Sequence, residues 1–269
     1  MAVAAVAVAM VAALLGAGTA RIGAEPGASP RFEWAFDGAV GATARSGNTV
    51  YVGGAFHNVL PLSGVLGQVY AVSPATGAVV PSIIPRLSLG TSALGALPDG
   101  AGGFFLRGNL PIGSGNGANR VVHLRADGTV DPVFRSPPEL SGYGAMVRVG
   151  PSLILAGFNS VSGVIRPLVA LDAATGALSP WHPDVKDDDY GRAALAANGI
   201  LYVASGFFYG GTRRVMAFNG TTGATLWEDD LGPGPGLNGG GLVLAGGRLI
   251  AVAGGLRAYD PATGVRDLA

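Results

Sequence analysis

The sequence predicts an all-β protein, a β-propeller of four-stranded blades, with about five blades legible in the chain. Three observations predict it. Glycine (46) and proline (18) together make almost a quarter of the 269 residues, and both interrupt helices. Hydrophobic residues nonetheless reach 49% and mean hydropathy is +0.42, which excludes a disordered Gly/Pro-rich chain. The third observation is a repeat. A Thr-Gly or Asp-Gly pair recurs with its glycine at Gly77, Gly128, Gly176, Gly223 and Gly264, separated by 51, 48, 47 and 41 residues. Repeats of about 40 to 50 residues, each carrying several short strands, have the arithmetic of propeller blades.

In chain order, residues 1–24 read as a signal peptide or an N-terminal anchor. Ala2 to Ala20 is uncharged and apolar, the first charged side chain is Arg21, and small residues close the run at Gly18-Thr19-Ala20. The length suits either a bilayer span or the apolar core of a cleaved leader. Residues 31–269 form the propeller domain, with blades at about 40–85, 91–138, 143–184, 190–231 and 238–269. Each blade offers strands a to d, counted outward from the axis. The b strands are Thr49–Gly53, Gly103–Leu106, Leu153–Ala156, Ile200–Val203 and Leu249–Val252. The c strands are Val69–Val72, Val121–Leu124, Leu168–Leu171, Val215–Phe218 and Leu256–Tyr259. All are short, rich in β-branched and aromatic residues, and bounded by turn formers. A weaker a strand precedes each pair, as in Ala145–Arg148 or Gly241–Leu244. A d strand follows each turn, as in Ala177–His182 or Ala224–Glu228.

The c–d turns read Asp-Ala-Ala-Thr-Gly, Asn-Gly-Thr-Thr-Gly or Asp-Pro-Ala-Thr-Gly. Asp or Asn bonds backbone groups two residues on, and glycine supplies the positive φ that closes the hairpin. Residues 31–37, with Trp34, read as an unattached d strand that closes the ring against the last blade. The alternative is a piece of a seven- or eight-bladed ring.

The repeat of blade three, with Ala170, Asp172, Thr175, Gly176 and Trp181, resembles the bacterial quinoprotein-like (PQQ-like) β-propeller repeats. So does that of blade four, with Ala217, Asn219, Thr222, Gly223 and Trp227. Blade five keeps Ala258, Asp260, Thr263 and Gly264 without the Trp. Blade two, with Asp127, Gly128 and Phe134, instead resembles the delta-60 type. The resemblance implies that Trp34, Phe134, Trp181 and Trp227 wedge between neighbouring blades. It is specific for fold and poor for function, because these repeats mark scaffolds.

Charged residues are 13% and balance to zero, which tells against a nucleic-acid partner. Without cysteine there are no disulfides, thiolate metal sites or cysteine nucleophiles. No hydrolase elbow, zinc-protease helix or P-loop is present, and His57, His123 and His182 occupy non-equivalent places in three blades. No catalytic set is assigned, and the question of enzymatic activity leans towards none. The b–c loops share one face of a propeller and carry Phe56, His57, Phe158, Asn159, Phe207, Phe208 and Tyr209. These are the ligand-binding candidates, set against the plainer reading that the aromatics are repeat positions tucked under their own loops. Asp187, Asp188 and Asp189 offer hard oxygen ligands that suit calcium, set against a solvated acidic loop. No cofactor is expected. Calcium and a quinone enter only through the resemblance, in the reading as a quinoprotein-type dehydrogenase. The leading expectation is an exported, non-catalytic scaffold, secreted, periplasmic or at the cell surface, with a protein or glycan partner at the loop face. Membrane contact would come only through the N-terminal anchor. A carbohydrate-binding or carbohydrate-degrading propeller is the third reading.

Overall fold

The computed structural model describes residues 35–36, 39–46, 49–55, 59–60, 69–72, 92–110, 119–183, 185, 191–205, 212–233, 241–252 and 255–267. The chain divides into two units, Met1–Glu33 and Trp34–Ala269, and every described residue belongs to the second.

The described elements are all strands. Five antiparallel sheets repeat along the chain. The first joins β2 (Ala39–Ser46), β3 (Thr49–Ala55) and β5 (Val69–Val72). The second joins β6 (Ser92–Pro98), β7 (Phe104–Asn109) and β8 (Asn119–Leu124). The third joins β9 (Leu140–Val149), β10 (Ser152–Val161) and β11 (Val164–Asp172). The fourth joins β12 (Gly191–Ala197), β13 (Ile200–Ser205), β14 (Thr212–Asn219) and β15 (Thr225–Pro233). The fifth joins β16 (Gly241–Ala245), β17 (Arg248–Val252) and β18 (Leu256–Tyr259). Each sheet runs in simple up-and-down order. The inner strands adjoin in sequence, β2 beside β6, β6 beside β9, β9 beside β12 and β12 beside β16. This is the blade arrangement of a β-propeller.

The strands read as nearly continuous apolar runs because a blade is covered on both faces. In β10, Leu153 and Leu155 turn towards the second blade, joining Phe105, Val121, Phe134 and Met146. The intervening Ile154 and Ala156 turn the other way, joining Leu201, Val203, Met216 and Phe218 of the fourth blade. The next seam combines Tyr202, Val215, Ala217 and Trp227 with Leu249, Ala251 and Tyr259 of the fifth. The period-2 alternation of a strand therefore feeds two seams at once. Asn198-Gly199 closes the β12–β13 hairpin with φ of 52° and 77°, the pairing of positive φ values that matches the twist of two-residue hairpins.

Among the described residues the fourth strand is complete only in the fourth sheet. In blades two, three and five it contracts to single bridges, Leu124 to Val130, Leu171 to Leu178 and Tyr259 to Arg266. Proline explains two of these. Pro132, Pro137 and Pro138 interrupt the segment in blade two, and Pro180 and Pro183 that in blade three. Each removes a donor from the ladder. Blade four has no proline between Thr225 and Leu231, and there β15 pairs along β14. Of the segment read as closing the ring, β1 (Ala35–Phe36) pairs with β4 (Val59–Leu60) in a separate two-stranded sheet. Residues 31–34, including Trp34, lie outside the described residues.

Candidate functional site

Phe158 and Asn159 adjoin on β10, so the strand sends them to opposite sides of blade three. Phe158 lies on the side of blade four. Its ring stacks on Tyr143 of β9, centroids 5.7 Å apart and planes within 13°, and Tyr143 is 43% exposed. At the tip of the β10–β11 hairpin, exposed Ile165 lies level with Ser160 on the side of this stack, and exposed Val164 lies level with Val161 on the other side. Blade three therefore presents an aromatic and aliphatic surface at its b–c end.

Asn159 faces blade two and is fully buried. Its Nδ2 lies 3.1 to 3.3 Å from the carbonyl oxygens of Leu155, Gly157, Arg166 and Pro167, which share its two hydrogens. These contacts fill the irregularity where β10 and β11 change register, between Ala156 and Asn159. Its Oδ1 accepts from Nη2 of Arg107, on β7 of blade two, at 2.5 Å. Arg107 is 1% exposed, and burial pushes its pKa down to about 10. Its Nε and Nη1 are buried without an acceptor.

The other end of blade two, on the same side of its sheet, holds a different cluster. His123 Nδ1 lies 3.0 Å from Asp131 Oδ2, and Nε2 3.0 Å from Asp99 Oδ2. Both contacts are hydrogen bonds only when both ring nitrogens carry protons. The ring stacks on Phe105 at 4.6 Å. Burial pushes the Asp131 carboxyl up, but bonds from the Val133 amide, His123 and Arg125 outweigh it and hold the group below its usual value. The cluster pins the a–b turn, the c strand and the d segment of one blade together. It uses all three side chains structurally.

The turn glycines Gly128, Gly176, Gly223 and Gly264 have φ between 72° and 79°. In the last three blades each lies against the preceding blade's d segment, Gly176 on Arg135, Gly223 on His182 and Pro183, and Gly264 on Trp227. Trp227 donates from Nε1 to Pro261 O at 3.0 Å and stacks on Tyr259 at 5.8 Å. Phe134 packs in the seam between blades two and three, and half-buried Trp181 in the seam between three and four. Beside Trp227, Tyr259 Oη donates to Asp229 Oδ2 at 2.8 Å, and Arg266 pairs with the same carboxylate at 2.6 and 2.7 Å. Burial pushes the Asp229 carboxyl up, yet the bonds from Arg266 and Tyr259 leave it below its ordinary value.

The structure thus places Phe158 and Asn159 on one blade but on opposite sides of it. Phe56, His57, Phe207, Phe208 and Tyr209, the aspartates Asp187, Asp188 and Asp189, and Gly77 lie outside the described residues. Among the described residues no three His, Asp or Glu side chains converge as metal ligands. Arg107 was missed by the motif reading. The signal for it lies in the repeat: cross-strand register puts it level with Gly53, Ala156, Ala204 and Val252 of the other blades.

Residues 166–267 match the family described as outer membrane protein assembly factor BamB. No curated protein matches the sequence. Among solved structures, BamB from Moraxella catarrhalis is similar at 20% identity and a TM-score of 0.50, over 85% of this chain and 61% of that one. A europium-containing methanol dehydrogenase is similar at 16% identity and a TM-score of 0.50, over 87% of this chain and 52% of that one. The quinohemoprotein alcohol dehydrogenase from Comamonas testosteroni is similar at 13% identity and a TM-score of 0.51, over 87% of this chain and 44% of that one. The chain thus spans between 44% and 61% of the length of these structures. It is a β-propeller that resembles the PQQ-like repeat proteins.

Proposed function

We propose that this chain is an exported, non-catalytic β-propeller that serves the cell envelope as a protein-binding scaffold, with a delta-60 type repeat as its second blade. The observation that carries the reading is the b–c end of blade three, where Tyr143 stacked on Phe158, with Ile165 on the same side of the hairpin, offers exposed apolar side chains. Exposed aromatics of this kind anchor protein interfaces, since they bury large area at small entropic cost. The family match to an outer membrane protein assembly factor over residues 166–267 supports the same compartment and a protein partner.

A quinoprotein-type dehydrogenase would need a convergent ligand set for its metal. The described His, Asp and Glu side chains do not supply one, so no step is derived through such a group.

The test is photocrosslinking in cells, with the full chain expressed in a Gram-negative host. A photoreactive residue at Tyr143 or Ile165 is expected to crosslink one envelope protein, and the same residue at Val133 is not. Cytoplasmic fractionation of the full chain would overturn the reading, as would turnover of alcohols or sugars at ordinary enzymatic rates. A glycan ligand would instead give saturable polysaccharide binding lost on Tyr143→Ala and no protein crosslink.

A further inference from the structure

The seams between blades are built alike. Each joins the face that one blade turns towards the next, its following face, to the preceding face of that next blade. Between blades three and four, Ile154, Ala156, Leu168 and Ala170 meet Leu201, Val203, Met216 and Phe218. Between blades four and five, Tyr202, Val215 and Ala217 meet Leu249, Ala251 and Tyr259. All of these side chains are at most 4% exposed.

Blade five has a following face of the same make. Strand alternation puts Val243 of β16, Ile250 and Val252 of β17, and Leu256 and Ala258 of β18 on the side away from blade four. All five are apolar. Val252 and Leu256 stand level with Ala156 and Leu168 of blade three and with Ala204 and Val215 of blade four. Those four residues are buried, whereas Val252 is 42% and Leu256 77% exposed. Val243, Ile250 and Ala258 are half-buried. Among the described residues no strand closes over this face.

The matching half lies on blade one. Val50 and Val52 of β3 stand level with Leu153 and Leu155, and with Leu201 and Val203, all four fully buried. Val50 and Val52 are only half-buried, as is Thr43, which pairs opposite Val52 in β2. One chain thus carries both halves of a seam, and within it they do not meet, since Val252 and Leu256 stay exposed. Apolar surface of this kind is driven out of water by a complementary face. The chain's formal net charge is zero, so two copies approach without net repulsion.

We infer that the outer face of blade five is a docking surface for blade one of a second copy of this chain, the contact continuing the series of seams within each copy. The two faces differ, so the contact is head to tail and leaves one open face at each end of the pair. It therefore repeats until a ring closes or a filament grows. It does not use the Tyr143 stack and holds whether or not the scaffold reading does.

The test is analytical ultracentrifugation of the purified full chain over a range of concentrations. The wild-type mass is expected to rise with concentration to a dimer or beyond. Leu256→Asp, at an exposed side chain, blocks the blade-five half, and Thr43→Arg, at a position already polar, blocks the blade-one half. Each variant alone is expected to stay monomeric. An equal mixture retains one intact pair of faces and is expected to stop at the dimer. A wild type that is monomeric at every concentration would overturn the inference, as would a mixture that stays monomeric. Association that survives Leu256→Asp would place the contact elsewhere, and association untouched by Thr43→Arg would mean that blade five docks on blade five; either result overturns it. Should Thr43→Arg not fold, Leu256→Asp added to the wild type decides. It is expected to cap the growing ends and lower the mean mass, and an unchanged wild-type mass overturns the docking.

Discussion

Replacing Gly264 by alanine tests the way neighbouring blades lock together. Gly264 has a φ of +72°, and a Cβ there would stand 2.5 Å from Trp227 Cδ2, 2.7 Å from Cε3 and 2.8 Å from Cγ. Two costs follow. The left-handed backbone costs a non-glycine residue about 1–2 kcal/mol. The collision falls on the ring of an indole that is held by its bond to Pro261 O and its stack on Tyr259. Overpacking against a side chain that cannot retreat costs about 1–3 kcal/mol. Together Gly264→Ala is expected to destabilise by about 2–5 kcal/mol. Gly199 separates the two contributions. It has a φ of +77° with nothing within 4 Å of the alanine position, so Gly199→Ala should lose only the backbone part, about 1–2 kcal/mol. Urea unfolding followed by circular dichroism gives both values. Trp227→Ala in the Gly264→Ala background should then bring the cost of the alanine down to that seen at Gly199. Equal losses at the two glycines, or an unchanged cost without the indole, would refute the wedge.

Two further predictions concern the polar clusters. His123→Phe keeps a ring on Phe105 but strips Asp99 and Asp131 of their imidazole partner. It is expected to destabilise the protein by about 2–3 kcal/mol, read from urea midpoints, whereas Leu256→Ser, at a side chain 77% exposed, should stay within about 0.5 kcal/mol. Acid should act partly through Asp229. Its carboxyl titrates lower in the folded chain than the value of about 3.9 expected when unfolded, because Arg266 and Tyr259 bond the charged form. That contribution is complete above the unfolded value and lost as pH falls through the folded one. Asp229→Asn should therefore narrow the difference in thermal midpoint between pH 6 and pH 3.

The b and c strands were legible because both of their faces are apolar, so that Leu153 to Ala156 or Val215 to Phe218 stand out as unbroken runs. The c–d turns were legible because Asp172, Asn219 and Asp260 each accept amide bonds from residues two and three further on, a local device that spacing alone announces. The d strands of blades two and three were overread. Alternation suggested strands there, but the prolines that forbid a ladder weigh more than the pattern. The candidate site was legible only in part. Phe158 and Asn159 were read as one loop pair, whereas the strand continues through them to Val161 and parts their side chains. Arg107 could not be picked out by motif, since its meaning comes from being long and charged where its counterparts are mostly small.

The contacts of Gly176, Gly223 and Gly264 all point one way along the chain. Arg135 rests on Gly176, His182 and Pro183 on Gly223, and Trp227 on Gly264, so each blade is finished by a residue that leaves the ribosome later. A chain growing from its N-terminus holds, at every moment, one wedge without a seat. The apolar surface left waiting is then a single blade edge rather than a whole core, and its exposure ends when the next forty or so residues arrive. Synthesis delivers the chain in that order, and these three seams can close in it.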